Sequence, residues 1–128
     1  MNGISLQTKE FPEVIIDFRK LRKGENTIQI SVATEIQAYE EVLEARKGNI
    51  RISIEEIANG EDRVLRVIGH FIFAVEDDLK QEEWNDIARN NACRIAYEET
   101  VQFIGFLMEA SGHNEISLPS YETLVERS

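Results

Sequence analysis

The chain has 128 residues, a length that fits one domain able to bury a core without disulfides or metals. Its 24 Asp and Glu against 14 Lys and Arg leave a formal charge of -10, which argues against a phosphate-binding surface because such surfaces need clustered cations. Cys93 is alone, no apolar run reaches the ~18–20 residues needed to cross a bilayer, and residues 1–13 carry no secretory pattern, so a reducing cytoplasm is the expected compartment, without membrane insertion.

Alternation with a period of two appears four times before any helical pattern. In "EVIIDFRK", Val14, Ile16 and Phe18 share one face and Ile15 is the exception opposite. The basic cluster that follows, "RKLRK" at 19–23, reads as a solvated strand end balancing local charge, with no nucleic-acid partner expected. In "NTIQISVATEI", Ile28, Ile30 and Val32 alternate with Thr27, Gln29 and Ser31. Residues 36–48 fit two readings, a helix or a continuation of the second strand through a bulge.

The third alternating stretch, "GNIRISIEEI", puts Ile50, Ile52 and Ile54 on one face, and Gly48-Asn49 is expected to supply a turn before it. Asn59-Gly60, the favoured dipeptide of a tight hairpin, then leads into "RVLRVIGHFIFAVEDD" at 63–78. There Leu65, Val67, Phe71, Phe73 and Val75 lie with Gly69 on the expected core face. The opposite face carries Val64, Arg66, Ile68, His70, Ile72 and Ala74, more apolar than a solvent-facing strand needs.

From Leu79 to Gly112 the sequence lacks Pro, is rich in helix formers and stops at a plausible terminal glycine, which predicts one long helix with a weak point near "NDIARNN". Its first half shows a stripe of Trp84, Ile87, Ala88, Asn91 and Ile95. "VQFIGFLM" then turns Val101, Phe103, Ile104, Phe106, Leu107 and Met108 right round the axis, although a single sheet covers only one side. Either the tail folds over the exposed side of the helix, or the segment is itself a fifth strand, or a second subunit covers it, and self-association is the expectation. The tail runs extended into Pro119 and then makes a last helical turn capped by Ser120.

The order predicts an α+β fold: a four-stranded antiparallel sheet covered by one long C-terminal helix, then an extended segment and a short terminal helix. Little supports catalysis. His70 and His113 have no local ligand partner, Cys93 reads as a small core residue, and the acidic pairs, including Glu55-Glu56 and Glu98-Glu99, are expected on solvated faces. No phosphate-cradling glycine loop is present, so neither an enzyme nor a cofactor or metal site is expected.

The order of elements resembles the SecB protein-export chaperone family, and so do local residues. Gly69 and Phe71 in "VLRVIGHFIFAVED" are similar to the family's fourth strand. Asn90 or Asn91 with Tyr97 in "NNACRIAYEETV", and Leu118, Pro119 and Tyr121 in "NEISLPSYETL", resemble its helix opening and its close. Ala96 stands where the family has Pro, and Glu98 and Glu99 where an Arg is usual. The resemblance implies one SecB-like domain over 1–128 and a homotetramer, a dimer of dimers with helices between sheets. It also implies ATP-independent holding of unfolded polypeptide clients in apolar grooves, with SecA or a toxin-antitoxin component as partner. On that reading Ile68, His70, Ile72, Phe103, Phe106 and Met108 are the expected client- or subunit-contact residues. Two rival readings remain beside it: a small acidic inhibitor or immunity-type protein that plugs a basic partner, and a small-molecule site near His70.

Overall fold

Four strands, β1 (Ile4–Ile16), β2 (Ile28–Val42), β3 (Ala45–Ala58) and β4 (Asp62–Val75), form one antiparallel sheet in the order β1-β4-β3-β2. The structure, a computed structural model, describes residues 4–42, 45–75, 80–113 and 118–126, without the side chains of 38–42, 45, 46 and 81. Asp77-Asp78 and residues 114–117, which the sequence places before and after the long helix, lie outside the described residues. Of the two readings of residues 36–48, the strand is the one adopted: β2 runs on to Val42 with an irregularity between Gln37 and Glu40 that adds one residue against β3.

Alternation decides which face meets the helix. Paired positions bring Val14 and Ile16 of β1, Leu65, Val67, Phe71 and Phe73 of β4, Ile50, Ile52 and Ile54 of β3, and Ile30 and Val32 of β2 to one side. The β3–β4 hairpin turns through Asn59 and Gly60, both with positive φ (55° and 84°), the backbone that Asn and Gly adopt most cheaply.

Two sequence expectations change here. Gly48-Asn49 is no turn, because both residues lie inside β3, and Gly48 is buried beneath the ring of Trp84. A Cβ at Gly48 would stand 2.3 Å from that ring, so the glycine is needed for close approach of helix and sheet. Val64, expected opposite the core, is fully buried in it. Glu56 pairs with Leu65 but Ile57 pairs with Arg63, so Val64 is the extra residue of a β-bulge and turns inward beside Leu65.

The long helix forms as predicted: α1 (Gln81–Ile87) passes through a π-helical turn (Ala88–Ala92) into α2 (Cys93–Ser111) without leaving helical geometry. The weak point near "NDIARNN" is thus a π turn and not a break. Glu83 accepts the backbone N–H of Lys80 at the start (3.2 Å), and Gly112 ends the helix at φ 79° with His113 N–H donating to the Met108 carbonyl (2.9 Å). The buried stripe differs from the predicted one. It consists of Trp84, Ala88, Ala92, Cys93, Ala96, Tyr97, Thr100, Ile104 and Met108, whereas Ile87, Asn91 and Ile95 are half-buried. Small residues bring this half of the helix close to the sheet, and the Thr100 hydroxyl is satisfied by the Ala96 carbonyl (2.7 Å).

Along β1 and just past its end, three contacts in sequence hold the helix and the residue after its cap. Lys9 pairs with Glu99 (2.7 Å), Phe11 stacks on Phe103 (centroids 4.0 Å apart), and Phe18 meets His113 (4.6 Å). Phe11 also meets Phe71 edge-on (5.9 Å), leaning into the space above Gly69. After the helix, α3 (Tyr121–Glu126) starts at Ser120, whose Oγ accepts the Thr123 N–H (3.2 Å), so the expected cap is present.

Candidate functional site: an apolar groove between β2 and the C-terminal segment

β2 is an edge strand, and the helix stripe is centred on β3 and β4. Its inward row, Ile30, Val32, Thr34 and Ile36, is therefore only partly covered and forms one wall of a groove of about 500 Å³. The floor and far wall are Arg89 and Cys93 from the helix and Pro119, Tyr121, Leu124 and Val125 from the tail. Among these described residues one side chain is charged, that of Arg89.

The far wall is set by polar contacts more than by burial, because no residue of α3 is buried. The Tyr97 hydroxyl donates to the Pro119 carbonyl (2.6 Å), and the Tyr121 hydroxyl donates to the Arg89 carbonyl in the π turn (3.3 Å). Arg94 pairs with Glu122 and lies over the Tyr121 ring (5.0 Å). Burial pushes the phenols of Tyr97 and Tyr121 above their usual value, so both remain donors. Tyr97, Pro119 and Tyr121, which carry the family resemblance in sequence, thus meet at one place and hold the groove's wall. Trp84 closes the end of the sheet by donating its indole N–H to the Gln37 carbonyl (3.1 Å).

Inside the groove, the Cys93 thiol is buried and raised to about 11, which makes it a poor nucleophile and a suitable apolar lining. Among the described residues no three His, Cys, Asp or Glu side chains converge into a metal-holding group.

The six residues singled out in sequence do not line this groove. Ile68, His70 and Ile72 lie on the far face of the sheet, where Ile68 is buried and His70 stands 3.5 Å from Glu10. That face is laced by ion pairs: Arg66 with Glu13 and Glu55, and Arg63 with Glu55 (2.8 Å). Phe103 and Phe106 sit on the helix, Phe103 stacked on Phe11 and Phe106 70% exposed, while Met108 is buried in the core. Val14, on the helix side of β1, is also exposed at 40%. Sequence reasoning missed the groove because the β2 row looks like any half-buried strand. Its openness follows from edge position, which alternation does not report.

The acidic pairs diverge as well. Glu98 is exposed and Glu99 is engaged by Lys9, but Glu56 is fully buried, with no hydrogen-bond partner on either carboxylate oxygen. Desolvation raises its pKa from 4.5 to about 7. The basic cluster behaves as expected, Arg19 pairing with Asp17 (2.9 Å) and Lys20 with Asp62 (3.9 Å).

A four-stranded antiparallel sheet in which β2, β3 and β4 pair in succession and β1 lies beside β4, a Greek-key order, backed by a long helix and a tail clasped across the helix start, is the SecB-like fold. Among solved structures the chain is similar to the SecB-like chaperone Rv1957 of Mycobacterium tuberculosis in complex with a ChAD peptide from the Rv1956 HigA1 antitoxin. The TM-score is 0.65 at 13% identity, covering 91% of this chain and 90% of that one. No protein-family model and no curated protein matches the sequence. No helix among the described residues is long and apolar enough to cross a membrane.

Proposed function

We propose that the protein is an ATP-independent chaperone of the holdase type, which binds unfolded or extended polypeptide in the groove beside β2 and performs no catalysis. The observation that carries this reading is the open apolar row Ile30, Val32 and Ile36 beneath a weakly buried tail, in a fold shared with a peptide-binding chaperone. Each apolar side chain of a client that leaves water contributes roughly 25 cal/mol per Å² buried, with no bond made or broken. Of the two contexts that the resemblance implies, export with SecA and toxin-antitoxin control, the antitoxin peptide held by the solved relative supports the second.

Self-association belongs to the same reading. Phe106 and Val14 expose apolar surface that one chain leaves uncovered, which suits a homo-oligomer and, by the resemblance, a dimer of dimers.

The test is suppression of aggregation of an unrelated, thermally unfolding protein, without nucleotide, by the wild type and by Val32→Asp. Protection at near-stoichiometric ratio that the Val32→Asp variant loses, with its circular dichroism unchanged, is the expected result. Absence of protection by the wild type at large excess would sink the proposal. An immunity-type inhibitor would instead give a tight complex with one basic partner and no general protection.

A further inference from the structure

We propose that the groove reads charge as well as apolarity: it prefers extended apolar segments that carry a carboxylate, and Arg89 is the residue that selects them. This rests on the chaperone reading above and names the chemistry of its client.

Arg89 is exposed and is the one charged residue among the described residues that line the groove. Its position is fixed by the π turn and by the Tyr121 hydroxyl that donates to its carbonyl (3.3 Å). The chain offers 24 carboxylic side chains, and Lys9, Arg19, Lys20, Arg63, Arg66 and Arg94 each pair with at least one. Arg89 forms no ion pair with a described residue, and the nearby Arg94 is already neutralised by Glu122.

An occupant laid over the groove would strip water from this guanidinium. A neutral apolar segment leaves the desolvation uncompensated and a Lys-bearing one adds repulsion, whereas a carboxylate can accept two parallel N–H bonds from the planar fork. The net charge of -10 opposes acidic clients at long range, but that field is screened beyond ~8 Å at physiological salt. It therefore slows encounter, while the pairing at Arg89 governs release.

The test uses short dansyl-labelled, C-terminally amidated peptides with one apolar sequence and Asp, Ser or Lys at the centre, titrated by fluorescence anisotropy. The wild type is expected to bind the Asp peptide about three- to tenfold more tightly than the Ser peptide, and the Lys peptide most weakly. Arg89→Gln should erase that order and Arg89→Glu invert it, with circular dichroism unchanged. If all peptides bind and the order ignores both substitutions, Arg89 is not the selector although the chaperone reading stands. Binding of none of the peptides overturns both. A shift of oligomeric state with Arg89→Glu and no peptide bound would assign the groove to a second copy of the chain, and also overturns the proposal.

Discussion

Glu56 makes the sharpest prediction about stability. It continues the inward row of Ile50, Ile52 and Ile54 on β3, opposite Leu65 on one side and Ile30 on the other, with none of its surface exposed and neither oxygen bonded. Burial favours the neutral acid and raises the pKa from 4.5 to about 7. Because the folded value lies above the unfolded one, the native state holds a proton that the unfolded chain releases. The contribution is fully present below pH ~4.5, falls as pH rises, and is lost once pH passes about 7, a change of about 3 kcal/mol. Glu56→Gln keeps the shape without the ionisation. In urea titrations at fixed protein concentration, the wild type should lose most of this, about 2–3 kcal/mol, relative to the Gln variant between about pH 5 and about pH 8.5. Parallel pH profiles for the two proteins would refute the buried, unpaired carboxyl. Glu56→Met should be more stable than wild type above neutral pH, since an apolar side chain removes the desolvation altogether.

Gly48→Ala should destabilise by about 2 kcal/mol or more, because a Cβ 2.3 Å from the Trp84 ring forces helix and strand apart. Trp84 is the sole tryptophan, so a red-shifted emission would report the displacement directly. Tyr97→Phe removes the 2.6 Å bond to the Pro119 carbonyl and should cost about 1 kcal/mol, seen as faster amide exchange confined to residues 118–126. Phe106→Ser should leave the melting of the isolated chain nearly unchanged, given its 70% exposure, yet lower the sedimentation coefficient; an unchanged coefficient would remove Phe106 from any subunit contact.

Legibility in the sequence followed the physics of each element. Alternation gave β2, β3, β4 and the end of β1 with their inward residues, because side-chain direction in a strand depends only on parity; it did not reach the stretch of β1 before Glu13, and Phe18 lies beyond that strand's end. Parity fails where the register slips, and the inward turn of Val64 came from such a bulge, with only the apolar residue itself as a signal. Gly48 was misread as a turn because glycine serves both turns and close approaches. The large Trp84, thirty-six places on, was the only hint that a ring had to fit above it. The helix stripe shifted for a related reason: the π turn at Ala88–Ala92 inserts a residue into the winding, so a wheel drawn at constant pitch assigns Ile95 a buried place that Ala96 takes.

The same π turn ties the fold to the site. By re-phasing the helix it keeps Ala92, Ala96 and Thr100 against the sheet while leaving the Arg89 carbonyl to accept from Tyr121. A helix of uniform pitch would rotate the residues before the turn by about 100° relative to those after it, since one residue of an α-helix occupies about that angle. Either Trp84 would then lose its place over Gly48, or Tyr97 would lose its reach to Pro119. Deleting one residue from Arg89–Asn91 poses that choice to the molecule. If the groove wall depends on the turn, the deletion variant should retain helical circular dichroism but expose the tail to proteolysis around Tyr121. A variant with an unchanged cleavage pattern would show that α3 docks independently of the helix phase.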